Sequence, residues 1–223
     1  MEMKKILNYV AHSNFLHALA SKLVLNFPPL FLSHNLSKYT LIKKIVYTLS
    51  IDNIKGDYIE YGCFTGSSIK HAARCYKKYF KDFFPTLYGL DSFEGFPENI
   101  HKEFKNENFI TNYNFVKKIE TKFNNVVIKK GFFEQSLTEL DNAVDKISFG
   151  FIDCDLALSA EPCIEHLLKK IVPGGFIMID DFFNMDTTGS SICKIFFKKF
   201  ELGKNIFVYK YFGVGGVCFR YLP

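Results

Sequence analysis

Two apolar runs end on carboxylates: Asp153-Cys154-Asp155 follows Ile147 to Ile152, and Asp180-Asp181 follows Phe176 to Ile179. If both runs are strands of one parallel sheet, their ends open onto the same edge, where such sheets bind ligands. Carboxylates gathered there suit a hard cation that prefers oxygen donors, so the pattern points to a metal site at the rim of an α/β protein. Further upstream, Glu60 stands two positions before Gly62 in the turn Gly62-Cys63-Phe64-Thr65-Gly66, and Asp91 ends another apolar run. Gly62 and Gly66 let the backbone turn tightly and a ligand approach the start of a helix. The G-x-G-x-x-G spacing of a dinucleotide site is absent. Glu60 would repel a pyrophosphate and receive a cationic amino group, which argues against a nicotinamide cofactor. Asp91 is placed to accept both hydroxyls of a ribose, the bland alternative being a turn aspartate before Ser92.

Alternation of short apolar runs with amphipathic stretches supplies the elements that must hold these residues. Strands are predicted over Asp57 to Tyr61, Thr86 to Leu90, Asn125 to Lys129, Ile147 to Ile152 and Phe176 to Ile179. Asn205 to Lys210 and Gly216 to Tyr221 form a closing hairpin. Leu41, Ile45, Val46 and Leu49 trace one helix face, and Ile69, Ala72, Ala73, Tyr76 and Phe80 trace another. Further helices are expected near 112 to 123, 134 to 143 and 159 to 171. The sum is a mostly parallel seven-stranded sheet with one antiparallel strand near the C-terminus and helices on both faces. Residues 1–36 read as an N-terminal helical extension and 37–223 as the main domain. Phe15, Leu16, Leu19 and Leu23 recur at helical spacing, for which packing on the chain's own domain is the expectation, with a partner subunit or a membrane surface as alternatives.

The 223 residues, 48% of them hydrophobic, suffice for one substantial core. Six cysteines without a C-x-x-C pair argue against zinc knuckles and a disulfide scaffold. The net charge of +5 comes from scattered lysine pairs such as Lys77-Lys78 and Lys198-Lys199, so no nucleic-acid partner is expected. Leu23 to Leu32 is interrupted by Asn26 and Pro28-Pro29, too short and broken for an integral membrane segment. His12, Asn14, His17 and Lys22 break up any secretory apolar region, and a cytoplasmic location follows.

Four segments carry a resemblance. They are Gly56-Asp57-Tyr58-Ile59-Glu60-Tyr61-Gly62 with Gly66, Gly89-Leu90-Asp91-Ser92-Phe93-Glu94-Gly95-Phe96-Pro97, Ile152-Asp153-Cys154-Asp155-Leu156 with Ser159, and Pro173 to Asp181. In this order they resemble the class I S-adenosylmethionine-dependent methyltransferases, whose fold is Rossmann-like, and most closely the macrocin O-methyltransferase family of metal-dependent sugar methyltransferases. The D-S-F-E-G-x-P segment is the most specific, whereas the glycine turn is generic to the superfamily. The resemblance implies that Glu60 and Gly62 lie against the methionine end of S-adenosylmethionine, that Asp91 holds the ribose, and that Ser92 and Phe93 border the adenine. Gly131-Phe132-Phe133 resembles a glycine-aromatic segment of the adenine pocket, which nominates Phe133. Asp153, Asp180 and Asp181 are implied as ligands of Mg2+, other divalent ions being possible, with Asp155 outside the matched triad.

Methyl transfer to a hydroxyl needs an in-line nucleophile and somewhere for its proton to go. Asp153 is the first choice as proton acceptor and His101, in the loop after Pro97, the second. Ala157 and Leu158 stand where the family commonly has a tyrosine and a glutamate. Lys102 and Lys105 in the loop from Glu98 to Phe109 would suit a phosphorylated or nucleotide-linked sugar. The expected activity is therefore O-methylation of a sugar or sugar-nucleotide in polysaccharide or natural-product biosynthesis, with a homo-oligomer through the N-terminal extension as a further expectation. Two alternatives are a D-x-D glycosyltransferase using Asp153-Cys154-Asp155 and a catalytically silent cofactor-binding partner subunit.

Overall fold

The computed structural model describes residues 3, 10, 12–96, 106–185 and 189–223. All seven predicted strands form: β1 (Asp57–Tyr61), β2 (Leu87–Asp91), β3 (Val126–Lys130), β4 (Ile147–Ile152), β5 (Ile171–Ile179), β6 (Ile206–Phe212) and β7 (Gly216–Tyr221). They make one sheet in the order β3-β2-β1-β4-β5-β7-β6, in which β7 alone runs against its neighbours. The chain winds outward from β1 to β3, then returns to the other side of β1 for β4 and β5. This reversal leaves a crevice beyond the ends of β1 and β4, the place where open α/β sheets bind ligands.

The helices are α1 (Asn14–Asn26), α2 (Leu30–Ile51), α3 (Ser67–Tyr79), α4 (Tyr113–Lys117), α5 (Ile119–Lys122), α6 (Phe133–Leu140), α7 (Ala157–Lys170) and α8 (Ile192–Lys199). Every residue of the two apolar helix faces read from the sequence is buried. Alternation along β5 sends Phe176 and Met178 into a core shared with α2 and α3, while Ile177 and Ile179 enter a core shared with α6, α7 and α8. Both sheet faces are thus covered, which explains why the central strands read as continuous apolar runs.

Several elements differ from the sequence expectation. The single helix over 112 to 123 is two short ones: Asn112 caps α4 by accepting the Phe115 N–H, and the chain breaks at Lys118. β5 begins at Ile171 instead of Phe176, because its pairing with β4 passes from Ile147↔Ile171 to Phe149↔Phe176 through an irregularity that absorbs Pro173 and Gly174. α8 was not expected; Ser191 caps it, and Ile192, Ile195 and Phe196 anchor it.

α1 forms where the apolar periodicity lies, but none of its residues is buried, which corrects the expectation that it packs on its own domain. Pro28-Pro29 cannot continue a helix, and α1 meets α2 at 77°. α2 itself runs through residue 36 and enters the core only from Lys38 onward.

Candidate active site

Register brings the carboxylates together. Tyr61 pairs with Ile152 across β1 and β4, and Ile152 pairs with Ile179 across β4 and β5, so the next residues, Gly62, Asp153 and Asp180, emerge side by side. The Asp153 N–H donates to the Tyr61 carbonyl (2.8 Å) and the Asp180 N–H to the Ile152 carbonyl (2.9 Å), carrying the pairing one residue beyond the strands. Gly62 adopts φ 91°, and a Cβ there would overlap the Asp153 carbonyl oxygen. Gly62→Ala is therefore expected to cost at least about 3 kcal/mol and to abolish binding of S-adenosylhomocysteine, measured by urea denaturation and calorimetry. A variant that binds normally would show that the turn yields.

A cleft of about 300 Å³ lies over these strand ends. Toward β2 and β3 its wall is aromatic, made by Phe64, Phe96, Phe109, Phe132 and Phe133; toward β4 it is acidic, made by Asp153 and Asp155. Asp91 lies between them, accepting the N–H of Phe64 at Oδ2 and of Phe93 at Oδ1, both 2.7 Å. Each carboxylate oxygen keeps a lone pair for a ligand. Ser92 also reaches the wall, while its hydroxyl closes the turn by donating to the Gly95 carbonyl (2.7 Å).

Other predicted positions stand behind the wall. Glu60 is buried beneath the cleft, where Tyr58 Oη donates to its Oε2 (2.6 Å). Phe93 is buried against Tyr113, with ring centroids 5.2 Å apart. Gly66, at φ 69°, starts α3 where a Cβ would overlap Ile119. His101 lies outside the described residues.

α2 supplies a cation that sequence reasoning missed. Lys38 Nζ donates to Asp153 Oδ2 (3.0 Å) and lies 2.9 Å from Asp180 Oδ2, and His34 Nε2 meets the same Asp180 oxygen at 3.1 Å. Asp181 accepts the Asn184 side-chain amide (2.6 Å). The one sequence signal for Lys38 was a lysine on the apolar stripe that continues as Leu41, Ile42 and Ile45.

Burial works to strip the proton from Lys38, but Asp153 and Asp180 overcome it and raise its pKa. Burial pushes Asp153 up to about 7, with Lys38 opposing and Asp180 adding to the rise. Asp155 is pushed up to about 8 by burial, by its hydrogen bond with Asp181 and by the charge of Asp153. Glu60 rises to about 8, again through burial, against the opposing Tyr58 hydrogen bond. These folded pKa values exceed those of the unfolded chain, so the folded state holds protons that the unfolded state releases between about pH 4 and 8. Stability is then greatest at the acidic end of that window and falls as pH rises through it. Without added ions, the melting midpoint should drop by more than about 5 °C from pH 5 to pH 8; a flat profile would contradict these environments.

Among the described residues, no group of three or more carboxylates, imidazoles or thiols is already set to hold a metal ion. The family Macrocin-O-methyltransferase (TylF) matches residues 36–208, well over half of the chain. No curated protein sequence matches it. Among solved structures, the fold is similar to the O-methyltransferase NovP (18% identity, 84% of this chain and 80% of that chain, TM-score 0.65). It is also similar to CalS11, a TDP-rhamnose 3′-O-methyltransferase of calicheamicin biosynthesis (16%, 97% and 92%, 0.60). An O-methyltransferase from Bacillus cereus, in complex with S-adenosylhomocysteine, is a third (16%, 92% and 97%, 0.57). At these identities the structural likeness speaks for the Rossmann-like fold; the family match over this cleft shows that the chain belongs to the macrocin O-methyltransferase family and is an S-adenosylmethionine-dependent O-methyltransferase.

Proposed function

We propose that the enzyme methylates a hydroxyl of a sugar or sugar-nucleotide, with a divalent cation, most simply Mg2+, taken by Asp153, Asp180 and Asp181. The order of chemistries along one cleft carries this reading: aromatic rings mostly at the β2 and β3 ends, the glycine turn at β1 and the carboxylates of Asp153 and Asp155 after β4, with Asp180 at the end of β5 buried behind the wall and joined to Asp153 through Lys38. That order suits adenine against Phe132 and Phe133, ribose on Asp91, the methionine end over Gly62, and the acceptor beside Asp153. Ser92 and Phe93 shape the adenosine end through the turn they form, and Glu60 acts from one layer below.

The donor set fits the cation. Asp153, Asp155, Asp180 and Asp181 oppose one ammonium, and burial first, then the neighbouring aspartates, raises the pKa values of Asp153 and Asp155. An all-oxygen set of this kind suits magnesium. Lys38 must leave the Asp153–Asp180 pair before both carboxylates can turn to a cation. When bound, such an ion lowers the cost of deprotonating a hydroxyl. The chain's own residues do the rest. Asp153, which lines the cleft beside the acceptor, accepts the hydroxyl proton. The turn of Gly62 and the Asp91 anchor hold the donor for in-line attack.

A sugar acceptor accords with the family, and a nucleotide-linked one with CalS11 and with Lys102 and Lys105, which lie outside the described residues. The cytoplasm is the compartment we propose, because all six cysteines are unpaired and five are buried. The reading is tested by incubating the enzyme with S-adenosylmethionine and matched nucleotide-linked or neutral sugars, with magnesium or with chelator, and following S-adenosylhomocysteine. Turnover of nucleotide sugars that chelation abolishes is expected. Turnover of neutral sugars alone, or indifference to chelation, would overturn the corresponding part.

A further inference from the structure

The elbow between α1 and α2 leaves a continuous run of large apolar side chains uncovered. Leu23, Val24, Leu25, Phe27, Leu30 and Phe31 are each more than 60% exposed. Val214 extends this surface from the β6–β7 turn, where its N–H donates to His34 Nδ1 (3.3 Å). Apolar surface of this kind on one side of a protein marks an interaction site.

Charge is segregated onto the same part of the chain. Of 28 basic and 23 acidic residues overall, the first 51 contain six lysines and one acid, Glu2, so residues 52 onward carry 22 of each and are neutral. The whole excess of +5 belongs to the segment bearing the apolar run, where Lys38 alone among the described lysines turns inward to Asp153 and Asp180, and no acidic residue occurs between residues 3 and 51. Beside that run, a groove of about 200 Å³ between α2 and β6 is lined by Leu36, Lys44, Lys210 and Tyr211. The two lysines crowd each other, and the proximity of Lys210 lowers the pKa of Lys44. A groove with two like charges, at the border of an apolar surface, is suited to an anion attached to something apolar.

We infer that residues 14–36 lie in the headgroup layer of an anionic bilayer, with a lipid phosphate seated between Lys44 and Lys210. Together α1 and α2 have the length and apolar composition of a span, but only as a bent pair. Among the described residues no single helix is long and apolar enough to cross, α1 and α2 meet at 77°, and α2 is committed to the core from Lys38 onward. An interfacial element remains, with apolar side chains inward, Lys22 on α1, and Lys44 and Lys210 beside it at headgroup level. Lys38 follows Phe31 by seven residues, about 10 Å along α2, so the bound enzyme holds its acidic site close to the lipid surface.

Vesicle flotation tests this surface on the full chain. Vesicles of phosphatidylcholine containing phosphatidylglycerol should carry the protein, high salt should weaken the association, and pure phosphatidylcholine should bind much less. Lys44→Gln and Lys210→Gln should each weaken partitioning about fivefold, and Leu23→Glu with Phe27→Glu should abolish it. In all these variants the thermal shift given by S-adenosylhomocysteine should be retained, which separates loss of docking from loss of folding. Three results would overturn the inference: no flotation by a protein that sediments as a dimer, flotation indifferent to these substitutions, or stabilisation by inorganic phosphate through Lys44 and Lys210 without vesicle binding.

Discussion

Asp153→Asn should bind S-adenosylhomocysteine as the parent does and turn over about 10²–10⁴-fold more slowly. The substitution keeps the shape of the side chain and its place at the end of β4, where the Asp153 N–H extends the pairing with β1. It removes the capacity to accept a proton and much of the capacity to ligate a cation. Asp91, which anchors the loop at the aromatic end of the cleft, bonds the N–H groups of Phe64 and Phe93, so on the proposed arrangement donor affinity is insulated from the change. Initial rates together with calorimetric binding of S-adenosylhomocysteine separate the two quantities. A rate within tenfold of the parent would remove Asp153 from the chemistry, whereas lost cofactor binding would make its role structural.

Lys38→Met should lower the melting midpoint of the metal-free protein and raise its affinity for magnesium. Removing one member of a largely buried ion pair leaves the other uncompensated. Asp153 is 21% exposed and Asp180 3%, so water relieves part of the cost, and about 2 kcal/mol is expected, or roughly 4–8 °C for a chain of this size. The ammonium now bonded to Asp153 and Asp180 no longer competes for their oxygens, so less magnesium should restore the midpoint than the parent needs to show any shift. Unchanged stability would mean that the carboxylates simply protonate. Reduced magnesium affinity would make Lys38 an aid to the ion instead of its competitor.

Strand ends were the most legible part of this protein. β4 is covered on both faces, so it reads as an apolar run with a sharp limit and Asp153 follows at the first residue outside, whereas β1, which contains Asp57 and Glu60, was bounded by Gly56 before it and the Gly62 turn after it. Lys38 was not legible as a partner of Asp153, because 115 residues separate them and helical periodicity reveals only that a lysine interrupts an apolar stripe. The rings of Phe96 and Phe109, with centroids 4.4 Å apart in the cleft wall, could not be told from core phenylalanines in a chain with 26 of them. For α1, periodicity identified a helix with an apolar face but contains no information about what covers that face. α8 has only eight residues, too few turns for its pattern to stand out.

Anomalous diffraction from a crystal grown with Mn2+ and S-adenosylhomocysteine tests the central claim most directly. The proposal predicts one strong peak among the carboxylates of Asp153, Asp180 and Asp181, with Lys38 withdrawn and the homocysteine sulfur over the Gly62 turn. Lys38 still bridging Asp153 and Asp180 beside bound S-adenosylhomocysteine, with no peak between those carboxylates, would contradict it.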